Sequence, residues 1–269
     1  MGQNSGVDWC DHSWGCWRGC QPAPQREGCL NCYGARDMKR YGQDPHTVVR
    51  AAKATFNAPL KWPVGRVFVC PWSDFWHEAA DDWRDDAYAI MRQRPDYTWI
   101  IPTKRENRIA ACLPPDWGDG WANVILLTSV STQQEADAAI PILLGVPGTK
   151  CKRGVSAEPL LEHLNLVRYF PGLESWEEGH PDSPHPTRPG GYSRQIPGIS
   201  WVIAGCESGP NRRQVSQTAF VDLMRQCRHN GVPFFLKQWE SYGQLIKMPE
   251  LAGQTWAQYP ARQAGLPML

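Results

Sequence analysis

The chain has 269 residues, 42% of them hydrophobic, with a mean hydropathy of −0.49; this length suits one large or two small domains with a sizeable core. Gly and Pro number 24 each, a loop-rich share that still excludes collagen-like and low-complexity chains. Lys and Arg (28) against Asp and Glu (27) leave +1, so no global field draws the protein to nucleic acid or anionic membrane, and any such affinity must be local.

No stretch approaches the ~18 consecutive apolar residues of a membrane span, and residues 1–8 lack the apolar region of a signal peptide. A cytoplasmic protein without membrane attachment is expected. Gly2 does not signal myristoylation, because position six is Gly6 rather than Ser or Thr. A reducing compartment argues against a disulfide framework for the ten cysteines. Five of them (Cys10, Cys16, Cys20, Cys29, Cys32) fall within the first 32 residues. The scattered ones (Cys70, Cys112, Cys151, Cys206, Cys227) read as small buried apolar residues.

After this cysteine-rich start, short apolar runs alternate with helical patterns. Val67-Phe68-Val69-Cys70 reads as a buried strand, followed by a helix carrying Trp83, Ala87, Ile90 and Met91 behind Asp81-Asp82. Thr98-Trp99-Ile100-Ile101 is the next strand, leading to a polar helical stretch over 104–112. Val124-Ile125-Leu126-Leu127 follows, and Thr132 with Glu135 reads as a capping box for a helix that Pro141 should kink or restart. Residues 151–157 are a weaker strand and Trp201-Val202-Ile203-Ala204 a stronger one. A helix from near Ser216 to Asn230-Gly231 and a strand over 232–236 close the series. Strands alternating with helices mean a parallel sheet, and an open or closed α/β barrel of six or seven strands fits. Residues 174–197 are rich in Pro, Gly, His and Ser without periodicity and read as an inserted loop, with the form of a lid.

Cys20, Cys29 and Cys32 give the spacing C-x8-C-x2-C. Three thiolates on one loop can hold three irons of a 4Fe-4S cluster and leave the fourth open. A structural zinc site with Cys16 or His12 as fourth ligand is the competing account, since zinc also favours C-x2-C pairs.

The stretch from Trp14 through Gly19-Cys20 to Gly28-Cys29-Leu30-Asn31-Cys32-Tyr33 resembles the three-cysteine motif of a phage and bacterial family of radical-SAM-like proteins. So do Ser73-Asp74-x2-His77-Glu78, Thr103-Lys104-Arg105, Ser156-Ala157-Glu158-Pro159-Leu160-Leu161, Gly205-Cys206-Glu207-Ser208-Gly209-Pro210 and 231–239. The motifs keep the family's order and cover nearly the whole chain. Asn31 stands before the last cysteine, where typical radical SAM enzymes carry an aromatic residue. The resemblance implies a partial TIM-like (β/α) barrel of radical SAM type, one domain over 1–269, with a first strand at about 7–11 and a cluster loop over 10–33. It implies a 4Fe-4S cluster on Cys20, Cys29 and Cys32, binding of S-adenosylmethionine at the open iron, and an external one-electron reductant such as flavodoxin.

Polar residues just past the apolar runs form the matching ring, as expected where strand ends converge on one mouth. Asp74, with Ser73, is the candidate acceptor for the cofactor's ammonium; Lys104 or Arg105 would meet its carboxylate, and Ser129 completes the cofactor side. Glu158, Glu207 and Lys237 are the candidate catalytic residues, Lys237 equally a structural partner of one glutamate. His77-Glu78 lacks metal-ligand spacing and reads as surface, as do His180 and His185. Trp72, Trp76 and Trp239 lie near enough to the mouth to stack on a base. The substrate implied by phage members is an amino-acid-modified thymine in DNA, isomerised during hypermodification, or a small nucleotide; Arg212-Arg213 and Arg105-x2-Arg108 would supply a basic rim. The contrasting reading is a zinc- or cluster-stabilised, non-catalytic nucleic-acid-associated binding protein.

Overall fold

The apolar tetrads of the sequence become neighbouring strands. In a computed structural model, which describes residues 2–176 and 192–261, nine strands form one mixed sheet in the order in which the chain makes them: β1 (Gly2–Gln3), β2 (His12–Trp14), β3 (Arg66–Val69), β4 (Thr98–Thr103), β5 (Val124–Ser129), β6 (Lys152–Ala157), β7 (Val202–Gly205), β8 (Phe234–Ser241) and β9 (Gln244–Lys247). Strands β2 to β8 are mutually parallel, while β1 and β9 add antiparallel edges. The first parallel strand is therefore His12–Trp14 and not residues 7–11, which turn so that Trp9 and Cys10 fold under the sheet. Among the described residues, no helix is long and apolar enough to cross a membrane.

The crossovers carry α1 (Tyr33–Arg40), α2 (Asp81–Gln93), α3 (Gln133–Leu144) and α4 (Gln217–His229). Helix α2 buries Ala87, Tyr88, Ile90 and Met91 at helical spacing, against Val67, Val69, Trp99 and Ile101. Helix α4 begins at Ser216, whose hydroxyl accepts from Thr218 N at 3.3 Å, and ends where Gly231 takes φ +66°. Pro141 does not end α3, which runs through it to Leu144. The helical stretch expected over 104–112 shrinks to one turn, Glu106–Ile109, and a 3-10 turn, Ala110–Cys112. The expected loop over 174–197 has paired ends: Gly172–Trp176 and Tyr192–Ile196 form an antiparallel ribbon. Residues 177–191, with His180 and His185, lie outside the described residues.

Period-two alternation sorts each strand into two faces. One face packs on the helices. The other gathers Phe68, Ile100, Ile125, Leu127, Trp201, Ile203 and Phe235 around Trp9 and Cys10. Both faces are buried, which is why the strands read as continuous apolar runs. On this second face the apolar residues give way to Ser129 after Leu127, and to Lys237 after Phe235. The C-terminal ends of the strands are thus the polar end of the molecule.

Candidate functional site: the cysteine loop and its seat

The cysteine loop leaves β2 at Trp14 and is stitched to the segment that leaves β3. Gly19 N donates to Trp72 O at 3.0 Å, and Ser73 Oγ donates to Gly19 O at 2.5 Å. Gly19 has φ +89°, and a Cβ there would lie 2.0 Å from Thr47 O, so only glycine permits this path. Cys20 N then donates to Pro45 O at 2.8 Å. Cys29 closes the 3-10 turn Glu27–Cys29, and Cys32 is the residue preceding α1. Cys20 and Cys29 are half-buried and Cys32 is exposed; all three are free thiols. Burial, reinforced by the Asp74 charge and opposed by Arg105, pushes the Cys20 thiol up to about 12. A metal binding there must expel its proton. The donor chemistry suits an iron–sulfur or zinc centre, but among the described residues no three His, Cys, Asp or Glu side chains are gathered closely enough to hold a metal ion.

Buried carboxylates hold the intervening residues. Arg26 pairs with Glu106, lies 3.9 Å from Glu135 and donates to Ser129 O at 3.4 Å. Glu27 N donates to Glu135 Oε1 at 2.6 Å, while Ser131 N occupies the other oxygen at 2.8 Å. Between them Gly28 presses on the polar end of the sheet, where a Cβ would meet Ser131 Oγ at 2.9 Å, Pro159 Cδ at 3.0 Å and Lys104 Cε at 3.1 Å. On the far side, Glu207 accepts from Asn31 Nδ2 at 3.0 Å and from Arg213 through Nη2 (2.6 Å), Nε (3.0 Å) and N (2.8 Å). Arg213 reaches back to Glu27 Oε2 at 2.9 Å and Glu27 O at 2.8 Å. Burial alone would raise the Glu207 carboxyl, but the Arg213 and Asn31 hydrogen bonds outweigh it and hold it below the usual range. Buried charges persist only when paired in this way. The loop is therefore fixed at 26–27 and at 31 to the segments that follow three strands, β4, β5 and β7.

The remaining expected residues divide into two groups. Asp74 is buried, and its carboxylate is filled by Thr103 Oγ1 (2.8 Å to each oxygen), Lys104 N (2.9 Å) and Trp76 N (2.9 Å). It ties the end of β4 to the loop after β3. Arg105 donates to Gln21 O at 2.8 Å beside Cys20, while its buried Nε has no hydrogen-bond partner among the described residues. The Lys104 ammonium forms no ion pair among the described residues. Glu158 and Lys237 form an ion pair at 2.7 Å, and Glu158 also accepts from Trp9 Nε1 at 3.1 Å. Glu158 and Lys237 thus come together, and Glu207 stands apart from them as part of the loop's seat.

Several expectations are corrected by packing. His12 and Cys16 cannot supply a fourth ligand beside the loop thiols: His12 Nε2 lies 3.0 Å from Pro63 O, and Cys16 Sγ lies 3.0 Å from Cys70 Sγ in the core. His77 is buried rather than superficial, its Nδ1 accepting from Ala79 N and its Nε2 meeting Gln21 next to Cys20; burial, then Arg105, lowers its pKa. Trp76 is fully buried between Phe75 and Arg84 and is closed to any base. Trp72 and Trp239 pack beside Tyr41 and Phe220. The expected basic rim is spent internally, on Glu240 by Arg212, on Glu207 and Glu27 by Arg213, on Asp81 by Arg108 and on Glu78 by Arg105. Sequence reasoning missed Arg26, Glu106 and Glu135 as site residues. The signal available was an Arg-Glu pair inside the cysteine loop and acidic residues just past two apolar runs.

Fold and site together define a class: a mixed α/β protein, mostly parallel, that seats a three-cysteine loop on carboxylates at the C-terminal ends of its strands. The chain belongs to the family described as protein of unknown function (DUF5131), whose model matches residues 4–260. No curated protein and no solved structure matches it significantly.

Proposed function

We propose that this protein is a radical SAM enzyme on a partial (β/α) barrel, with a 4Fe-4S cluster on Cys20, Cys29 and Cys32. The observation that carries the reading is the anchoring of a loop with three free thiols over the polar ends of seven sequentially ordered parallel strands. Ligands on adjacent βα loops are where such folds house chemistry. Cys20, Cys29 and Cys32 would hold the cluster once drawn together, and the group would supply one electron for reductive cleavage of the sulfonium of S-adenosylmethionine. The chain's own residues orient and enclose. Glu207, Arg213, Glu135 and Arg26 set the loop; Lys104, which forms no ion pair among the described residues, meets the cofactor's carboxylate, and Arg105, already engaged by Gln21 and Glu78 but with an unpartnered Nε, lends its charge beside it. Asp74, already filled by three donors, holds the Lys104 segment. The Glu158–Lys237 pair and Ser129, beneath the loop, face the substrate side. An external flavodoxin-type protein is the electron donor.

Anaerobic reconstitution should give brown protein with the broad visible absorption of iron–thiolate bonds, and dithionite should then release 5′-deoxyadenosine and methionine. Colourless, zinc-loaded protein after careful reconstitution would overturn the proposal in favour of a zinc-stabilised binding protein. For the substrate we propose an amino-acid-modified thymine, in DNA or as the nucleotide. Because the arginines of the rim are paired internally, recognition must rest on the base rather than on phosphates, and turnover should depend only weakly on salt. Nucleoside mass analysis after incubation with glycyl-modified DNA, the free nucleoside and unmodified DNA tests this. Inertness of all three despite cofactor cleavage rejects it.

A further inference from the structure

The proposed cofactor uses three of the ten cysteines. Two others, Cys16 and Cys70, lie deep in the core with Sγ atoms 3.0 Å apart. The site described above leaves both unused. Cys16 follows β2 and Cys70 follows β3, adjacent parallel strands in which Trp14 pairs with Val69. The spacing of neighbouring strands, about 4.8 Å, falls inside the Cα separation that a disulfide spans. Cys70 N donates to Trp14 O at 2.8 Å, and the register leaves Cys16 one residue beyond the level of Cys70, a short diagonal across neighbouring strands. Cys70 also adopts φ +58°, a left-handed conformation rare for a side-chain-bearing residue, so its Cβ is aimed by a specific backbone turn. The two segments that leave this pair carry Cys20 on one side and Ser73 with Asp74 on the other, and Gly19 and Ser73 stitch them together.

We infer that Cys16 and Cys70 are a redox pair that closes to an intrachain disulfide on oxidation by hydrogen peroxide, linking the root of the cysteine loop to the segment after β3. One thiolate attacks the peroxide, the O–O bond breaks, and water leaves as a sulfenic acid forms. The second sulfur displaces the hydroxyl as another water, its thiol proton going with it. Two thiols and one peroxide thus become one disulfide and two waters, with two electrons passing from sulfur to oxygen. A small oxidant is required because both thiols are enclosed, and enclosure makes the reaction slow compared with that of an exposed, low-pKa sensor thiol. This inference is independent of the cluster assignment.

The test is hydrogen peroxide titration of the full chain carrying Cys20→Ser, Cys29→Ser and Cys32→Ser, and of the wild type. Alkylation under denaturing conditions and peptide mass mapping follow. The expected product in both proteins is a cross-linked Cys16–Cys70 peptide pair, lighter by the two thiol hydrogens and restored by dithiothreitol, with a raised melting temperature before reduction. Recovery of Cys16 and Cys70 as alkylated thiols, while exposed Cys32 of the wild type is oxidised, would overturn the inference. So would pairing of either residue with a different cysteine. The wild-type map decides the matter if the triple variant does not fold.

Discussion

Replacing Glu207 by alanine should release the cysteine loop without unravelling the sheet. The carboxylate, 4% exposed, accepts four hydrogen bonds, three of them from Arg213 and one from Asn31. Stranding a buried charge costs ~3–5 kcal/mol, but Arg213 is 31% exposed and keeps Glu27 at 2.9 Å, so it is not stranded. The loss is then that of a charge-assisted contact, ~2–3 kcal/mol. Local opening of residues 26–32 becomes roughly 30- to 150-fold more frequent at that cost, if the loop opens as a unit. Hydrogen exchange on metal-free protein reads this directly, with no dependence on any cofactor. The melting temperature should fall by roughly 5–10 °C. Glu207→Gln, which keeps shape but loses charge, should fall between. Exchange in 26–32 that matches the wild type, with an unchanged melting temperature, would refute the idea that Glu207 holds the loop.

Three more outcomes follow from the same contacts. Glu207 is depressed below its ordinary value of 4.5 in the folded chain, so its contribution is complete above that value and is lost as pH falls through the lower folded value; loop exchange should accelerate only in that acid window, and Glu207→Gln should lack the acid phase. Gly28→Ala places a methyl 2.9 Å from Ser131 Oγ and 3.0 Å from Pro159 Cδ, and should cost ~1–3 kcal/mol by lifting the loop, seen as faster exchange at 26–29 with the sheet unaffected. Asp74→Asn keeps the shape but turns one acceptor into a donor facing Thr103 or Lys104 N; it should lower the melting temperature by ~1–3 kcal/mol equivalent, and a variant of normal stability that binds S-adenosylmethionine poorly would instead restore Asp74 to the cofactor.

The fold was legible where burial on both faces makes a strand apolar throughout, as at Val124-Ile125-Leu126-Leu127, and where a cap residue marks a helix start, as at Ser216. Legibility failed at the first strand. His12, Ser13 and Trp14 are all buried, but a three-residue strand holding a histidine and a serine carries no apolar run, so the residues themselves gave nothing to correct the strand at about 7–11 that the family resemblance implies. Pro141 does not start a new helix, because a proline in mid-helix removes one backbone hydrogen bond and the burial of Ala136, Ala139, Ile140 and Leu143 outweighs that loss. The thiol loop and the polar ring were visible as residue types. Which carboxylate faces which part of the loop was not, because those pairings join residues far apart in sequence: Glu27 with Glu135 and Arg213, Asn31 with Glu207.

Glu135 shows why the loop's seat was hidden behind a local signal. With Thr132 it reads as a capping box, and Thr132 Oγ1 does accept from Glu135 N at 3.3 Å. The reciprocal half of the box is absent: the Glu135 carboxylate reaches past Thr132 to Ser131 N and Glu27 N. An acid in the first turn of α3 compensates the helix dipole wherever its oxygens point, so helix stability alone leaves their direction free. Parallel strands bring helix N-termini to the same end of the sheet as the strand C-termini. Acids favoured there for the helix are thereby placed where a loop needs hydrogen-bond acceptors. The cysteine loop uses that coincidence, docking an arginine, one backbone amide and an asparagine side chain onto carboxylates at that end. The seat is consequently part of the fold's own electrostatics, and it holds the three-thiol segment in place through contacts within the chain.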